Sequence, residues 1–148
     1  MFSGQFLGEI RHTVDDKGRI TIPARFRDLL MAEGAFIMRG LDANLWLMPS
    51  AVFDRLAAQL DAMNMADPNE RMVRRKFYSQ VYPVEIDRLG RMIVPQALRC
   101  LAEEGREVVL AGQREYLEIW PAEEWDLQVE QMGHVQLDPK HINLVLHS

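Results

Sequence analysis

The chain repeats itself at a spacing of seventy-two residues. Aligning 14–53 with 86–125 without a gap superimposes Asp15 on Asp87, Gly18 on Gly90, Arg19 on Arg91, Pro23 on Pro95 and Arg27 on Arg99. The same offset pairs Leu29 with Leu101, Gly40 with Gly112, Leu45 with Leu117 and Pro49 with Pro121. A unit this short buries too little surface to fold well alone, so two copies in one chain imply two pseudo-symmetric halves around a shared core. Function is therefore to be sought in the repeated Asp-x-x-Gly-Arg-x-x-x-Pro-x-x-x-Arg segment.

The local pattern is mainly β with flanking helices. Residues 6–14 read as a strand, Asp15 to Gly18 as a tight turn and 19–22 as the returning strand, a hairpin with Arg19 at its tip. Pro23 then opens a helix with Phe26, Leu29 and Leu30 on one face, ended by Gly34. The second copy runs the same way through the turn Asp87 to Gly90 and a helix after Pro95 with Leu98, Leu101 and Ala102 inward, stopped by Gly105. Two more strands follow in each half, 36–39 with 45–48 and 107–111 with 117–120, and each half ends at a proline, Pro49 or Pro121, that starts another helix. Between the halves, Asp67-Pro68-Asn69-Glu70 has the pattern of a capping box and leads into Arg71, Arg74, Arg75 and Lys76. That helix reads as solvated on its basic side and packed by Met72, Val73 and Phe77. The resulting division is 5–53 for the first half, 54–76 for a helical connection, 77–125 for the second half and 126–148 for a helix end and tail.

Net charge is −5, which at first sight opposes a nucleic-acid partner. The average conceals an asymmetry: residues 1–99 hold 14 of the 17 basic and 12 of the 22 acidic side chains, a net of +2, and residues 100–148 carry a net of −7. One face can be basic while the acidity lies elsewhere. No apolar run approaches a membrane span, and the first residues lack the basic-then-apolar stretch of a signal peptide, so neither a membrane nor export is expected. The single cysteine, Cys100, forms no intrachain disulfide and reads as a buried, inert thiol in a helix.

Arg19 and Arg91 each follow a glycine in a turn, from which a guanidinium can reach into the major groove and bond guanine through two parallel hydrogen bonds. Lys17 and Arg11 add phosphate-contacting charge in the first half and Arg88 in the second. The competing reading of either arginine is an ion pair with Asp15 or Asp87, four residues earlier. Those two carboxylates invite a shared-proton dyad or a cation site, but no protease-type Asp-Thr-Gly loop and no third recurring carboxylate accompany them. Together with Gly18 and Gly90 they read as turn-stabilising residues. Arg27 and Arg99 are placed either to touch phosphate or to pair with carboxylates of the other half. His12, His134, His141 and His147 have no metal-ligand spacing, and the dispersed glycines form no phosphate-binding loop, so neither cofactor nor metal nor catalytic activity is expected. Trp46, Trp120 and Trp125 read as packing residues.

The start Met1-Phe2-x-Gly4, followed by Asp15-x-Lys17-Gly18-Arg19-x-x-x-Pro23-x-x-Phe26-Arg27 and by Asp87-x-x-Gly90-Arg91-x-x-x-Pro95-x-x-Leu98-Arg99, resembles the MraZ family of bacterial transcriptional regulators, from residue 1 to about residue 130. The resemblance implies a tandem SpoVT-AbrB-type domain, in which two swapped-hairpin halves interleave into a small β-barrel within one chain. It further implies a ring-shaped homo-oligomer in the cytoplasm, associated with the nucleoid. Such a ring binds double-stranded promoter DNA at direct repeats upstream of a division and cell-wall gene cluster and represses it. Ser3, where many relatives are basic, and Leu89, where the first copy has Lys17, depart from the pattern and weaken the expected electrostatic grip. The tail 133–148 falls outside the resemblance. A rival reading is an oligomeric interaction or antitoxin-like protein with secondary DNA contact. A third, a small hydrolase using Asp15 and Asp87, is the weakest.

Overall fold

The computed structural model describes residues 5–138 and Lys140; the opening Met1 to Gly4 and the tail histidines His141 and His147 lie outside them. In chain order the elements are β1 (Glu9–Thr13), β2 (Arg19–Thr21), α1 (Ala24–Glu33), β3 (Ala35–Arg39), β4 (Leu45–Pro49), α2 (Ser50–Asp61), α3 (Pro68–Tyr78), β5 (Val81–Val84), β6 (Arg91–Ile93), a 3-10 helix (Gln96–Leu101), β7 (Glu107–Gly112), β8 (Leu117–Pro121) and α4 (Ala122–Met132). Six strands form one antiparallel sheet in the order β1-β7-β8-β4-β3-β5, and β2 pairs with β6 in a separate two-stranded ribbon.

The turn at Asp15 to Gly18 does not make an ordinary hairpin. Its first strand, β1, pairs with β7 of the other half, and its second, β2, pairs with β6, also of the other half. The second copy exchanges in the same sense, since β5 pairs with β3. A tight turn dictates that two strands run antiparallel; it does not dictate that they pair with each other. Interleaving satisfies the backbone groups of both copies from across the molecule.

Two registers locate the pseudo-two-fold axis. In the ribbon Ile20 lies opposite Met92, and in the middle of the large sheet Trp46 lies opposite Glu118, each pair being related by the seventy-two-residue offset. The axis therefore runs from the ribbon to the centre of the sheet. Between them lies one core, in which Ile20, Ile22, Met92 and Val94 meet Ile37, Leu45, Leu47, Val108, Leu110, Leu117 and Ile119. Period-two alternation builds it, with inward residues interleaved with outward Arg19, Thr21, Arg91 and Ile93. The six-stranded sheet is not closed by hydrogen bonds, because β1 and β5 stand at its two ends.

The repeat also slips in one place. Pro49 pairs with Ala35 and Pro121 pairs with Val108, so β3 and β7 correspond at an offset of seventy-three residues. Ala35 and Ile37 then face the core as Val108 and Leu110 do. Keeping the ungapped alignment through this strand would turn every side chain to the wrong face. Gly40 and Gly112, matched in sequence, are consequently not equivalent: Gly112 is the last residue of β7, and Gly40 lies beyond β3.

Helices cover the outer face of the sheet. Phe53 of α2 stacks on Phe36 with ring centroids 4.1 Å apart, and Trp125 of α4 meets Trp120 at 5.9 Å. The α3 helix docks on α2 through Phe77 against Phe53, with Tyr78 and Arg74 both bonded to Asp61; Met72 and Val73 are exposed instead of packed. Asp67 caps α3 by accepting from the Asn69 amide, but Glu70 accepts from Asn64, so the reciprocal capping box does not form. After Pro95 the expected helix is a short 3-10 segment that turns Leu98 inward and leaves Cys100 exposed, contrary to the buried thiol expected. The Arg39 guanidinium donates to the Cys100 Sγ at 3.3 Å. None of the described helices is long and apolar enough to cross a membrane.

Candidate nucleic-acid interface

Each turn is organised by its aspartate. Asp15 Oδ1 accepts from the amides of Lys17 (2.9 Å) and Arg19 (2.8 Å), and its Oδ2 accepts from Arg19 Nε at 2.7 Å. Asp87 repeats the pattern with the amides of Leu89 and Arg91 and with Arg91 Nε, each at 2.9 Å. Gly18 and Gly90 close the turns with φ of 74° and 82°, a region in which a side chain is strained. Partial desolvation pushes the Asp15 carboxyl up, yet the donors of Arg19 and Lys17 outweigh it and bring its pKa down to about 2. The Arg91 amide acts first on Asp87 and, against partial desolvation and with the Arg91 guanidinium and Leu89 amide, holds that carboxyl below the usual range. Both are carboxylates at neutral pH, acting as acceptors and fixing the arginines beside them.

The two arginines do not project from the turn tips. Each begins a ribbon strand with its guanidinium folded back on its aspartate, leaving the side chains 23 % (Arg19) and 34 % (Arg91) exposed. The ion pair expected as the competing reading is present in both copies, with Nε of each arginine on the carboxylate. The tips themselves carry Asp16 and Lys17 in the first half and Arg88 and Leu89 in the second, all exposed.

Arg19 lies on the same ribbon face as Ile93, its cross-strand neighbour, and Arg91 as Thr21. Sequence reading missed Thr21 and Ile93, although the alternation with Ile20, Ile22, Met92 and Val94 carried the signal. A depression of about 480 Å³ runs along the second-half side of this face, lined by Arg19, Arg91, Asp87, Ile86, Val84 and Ile93 among others. On the first-half side, His12 stands at the position equivalent to Val84, and its Nε2 accepts from the Thr21 amide at 3.2 Å.

Three further arginines have defined surroundings. Arg11 bridges Glu107 at 3.1 Å and Asp126 at 2.5 Å, so its charge is balanced within the fold. Arg27 Nε donates to the Ile22 carbonyl (2.7 Å) and Arg99 Nε to the Val94 carbonyl (3.0 Å). Each then lies against the turn glycine of the opposite half, Arg27 on Gly90 and Arg99 on Gly18. Instead of pairing with carboxylates of the other half, they tie their own strand ends to the other half's turn, and Arg99 additionally pairs with Glu104 at 3.6 Å within its own half. The acidity of the last third gathers elsewhere, around a depression lined by Glu103, Glu107, Glu123 and Glu124 near α4. Among the described residues no cluster of three His, Cys, Asp or Glu side chains is arranged to hold a metal ion.

Comparison with known proteins follows the two halves. The family described as "MraZ protein, putative antitoxin-like" matches residues 5–76 and again 77–144. A transcriptional regulator MraZ of Roseiflexus castenholzii is 43 % identical over 120 residues, covering 81 % of this chain and 83 % of that protein. The protein of the same name from Thermomicrobium roseum is 40 % identical over 125 residues, 84 % of this chain and 87 % of its own length. The one from Lactiplantibacillus plantarum is 36 % identical over 140 residues, 95 % and 98 % of the two chains. These relatives are named as regulators of transcription and not as enzymes. With the family matched in both halves and relatives aligned over most of their length, the chain belongs to the MraZ family.

Proposed function

We propose that this chain is a sequence-specific DNA-binding transcriptional regulator that lays the β2–β6 ribbon in the major groove. The observation that carries this reading is the ribbon itself: one strand from each half, Arg19 and Arg91 on its outward face, each oriented by an aspartate. A two-stranded β-ribbon fits the major groove, and a guanidinium pre-oriented beside a carboxylate suits bidentate contact with guanine. Lys17 and Arg88 at the exposed tips contact phosphate. Arg11, already balanced by two carboxylates, contributes least.

Subunits arranged in a ring present successive ribbons, so direct repeats spaced in register with the DNA helix, about 10 to 10.5 base pairs, are the natural target. Several weak contacts made together bind tightly, and occupancy of a promoter excludes polymerase. Ring assembly, repression of a division and cell-wall gene cluster, and residence in the cytoplasm at the nucleoid rest on the family resemblance. The division into 5–53, 54–76, 77–125 and 126–148 remains our working description of the chain. A second reading, an interaction module with secondary DNA contact, is favoured by exposed Leu127, Met132, Val135 and Leu137 on and after α4.

A gel-shift titration of wild type and Arg19→Ala/Arg91→Ala on repeated G-rich boxes and a scrambled control, with light scattering on both proteins, separates the two. Salt-sensitive, box-dependent binding lost in an otherwise intact assembly supports the regulator. Equal binding by the variant removes both arginines as readers and advances the interaction module.

A further inference from the structure

The ribbon's outward face pairs each arginine with a methyl-bearing side chain. Arg19 stands directly across from Ile93 and Arg91 directly across from Thr21. The Ile22 amide bonds the Gly90 carbonyl and the Val94 amide bonds the Gly18 carbonyl, so the Arg19–Ile93 and Thr21–Arg91 pairs fall at the positions without mutual backbone hydrogen bonds. There opposing Cα atoms approach to about 4.5 Å and side chains sit closest. Ile93 is 58 % exposed, although Ile20, Ile22, Met92 and Val94 on the other face of the same ribbon are fully buried.

We infer that Ile93 is a specificity-determining residue that recognises the C5-methyl group of a thymine adjacent to the guanine contacted by Arg19. This rests on the DNA-binding reading above. In the major groove thymine is marked by its methyl group, which is recognised by apolar contact and not by a hydrogen bond, and guanine by two acceptors. An arginine and an aliphatic side chain abreast on one ribbon thus form a unit for two neighbouring bases. Arg19 and Arg91 line the same depression as Ile93, together with the carboxylates of Glu85 and Asp87, and Lys17 and Arg88 at the adjoining tips put cations for phosphate within reach of the methyl-bearing side chain. At the position equivalent to Ile93 the first half has Thr21, whose smaller methyl gives Arg91 a weaker version of the same partner.

The test uses a duplex selected by the full-length wild-type protein from a random-sequence library, resynthesised with deoxyuridine in place of each thymine in turn. Deoxyuridine removes the methyl and leaves base pairing intact. Wild type loses about fourfold in affinity at one thymine beside a guanine, the worth of one buried methyl, and Ile93→Ser binds the two duplexes equally with unchanged circular dichroism. If no deoxyuridine position matters to wild type, or if the loss persists in Ile93→Ser, the inference is overturned and the DNA-binding reading stands. If Ile93→Ser changes the oligomeric state and not the base preference, Ile93 belongs to a protein contact and the inference is overturned. If the library yields no enriched duplex, the DNA-binding reading itself fails, and this inference with it.

Discussion

The guanidinium of Arg27 occupies the space that a side chain on Gly90 would need, although the two residues belong to opposite halves. The reciprocal pair is Arg99 and Gly18, where an added Cβ would come within 2.9 Å of the Arg99 Cζ. Backbone bonds reinforce the same junctions: the Ile22 amide donates to the Gly90 carbonyl at 2.7 Å and the Val94 amide to the Gly18 carbonyl at 2.9 Å. Turn, strand end and opposite arginine are therefore tied together at each junction.

Replacing Gly90 by Ala imposes a left-handed backbone on a residue with a Cβ, costing about 1–2 kcal/mol, and collides with Arg27 as well. Gly18→Ala meets the same backbone penalty with a milder collision. Urea unfolding should rank Gly90→Ala as the more destabilised, and Arg27→Ala/Gly90→Ala should recover the steric part and retain the backbone part.

Asp15→Ala removes the acceptor of two amides and one guanidinium from a turn that exposes Lys17 and holds Arg19 at the start of the ribbon. It also removes a negative charge from beside Lys17 and Arg19. Affinity for random duplex should hold or rise while affinity for a selected duplex falls. The ratio of the two dissociation constants, measured by fluorescence anisotropy at one salt concentration, is the quantity that should drop.

Acid should loosen the same turn. The folded pKa of Asp15, about 2, lies below its ordinary 3.8, so between these values the unfolded chain takes up a proton that the folded chain refuses. The stability contributed is complete above about pH 4, declines as pH falls towards 2 and is lost below it; Asp87 is shifted in the same direction. Melting temperatures followed from pH 5 to pH 2 should fall more steeply for wild type than for Asp15→Asn/Asp87→Asn.

Ile20 and Met92 lie on the pseudo-two-fold axis with no exposed surface. Ile20→Ala should cost about 2–5 kcal/mol as a large-to-small change in a packed core, whereas Met92→Leu, which conserves volume, should cost less than about 1.5 kcal/mol. Equilibrium denaturation measures both.

Much of this architecture was legible because turn and helix-start chemistry is local. Pro121 to Met132 and the aspartate-glycine turns lie where their residue types require them. Strand partners are not local. Nothing near Asp15 says that β1 will pair with β7 and β2 with β6, and only the family resemblance supplied the exchange. The slip between β3 and β7 shows in burial at Ala35 and Val108, and the conserved spacing of Pro49 and Pro121 conceals it. For the candidate site, the aspartate-arginine pairs follow from four-residue spacing across a turn, whereas Arg27 against Gly90 arises only once the halves interlock. Cys100 was misplaced because a 3-10 segment and an α-helix expose different residues of one short sequence.

Covalent linkage of the halves changes what the β2–β6 ribbon is free to become. A ribbon assembled from two identical chains is symmetric by necessity, and its best duplex target is palindromic. Here the strands are encoded separately, and equivalent positions have diverged: Lys17 with Leu89, Thr21 with Ile93, and His12 with Val84. On the proposed reading, a duplex gripped by such a ribbon would have a head and a tail, and each molecule would sit on it facing one way.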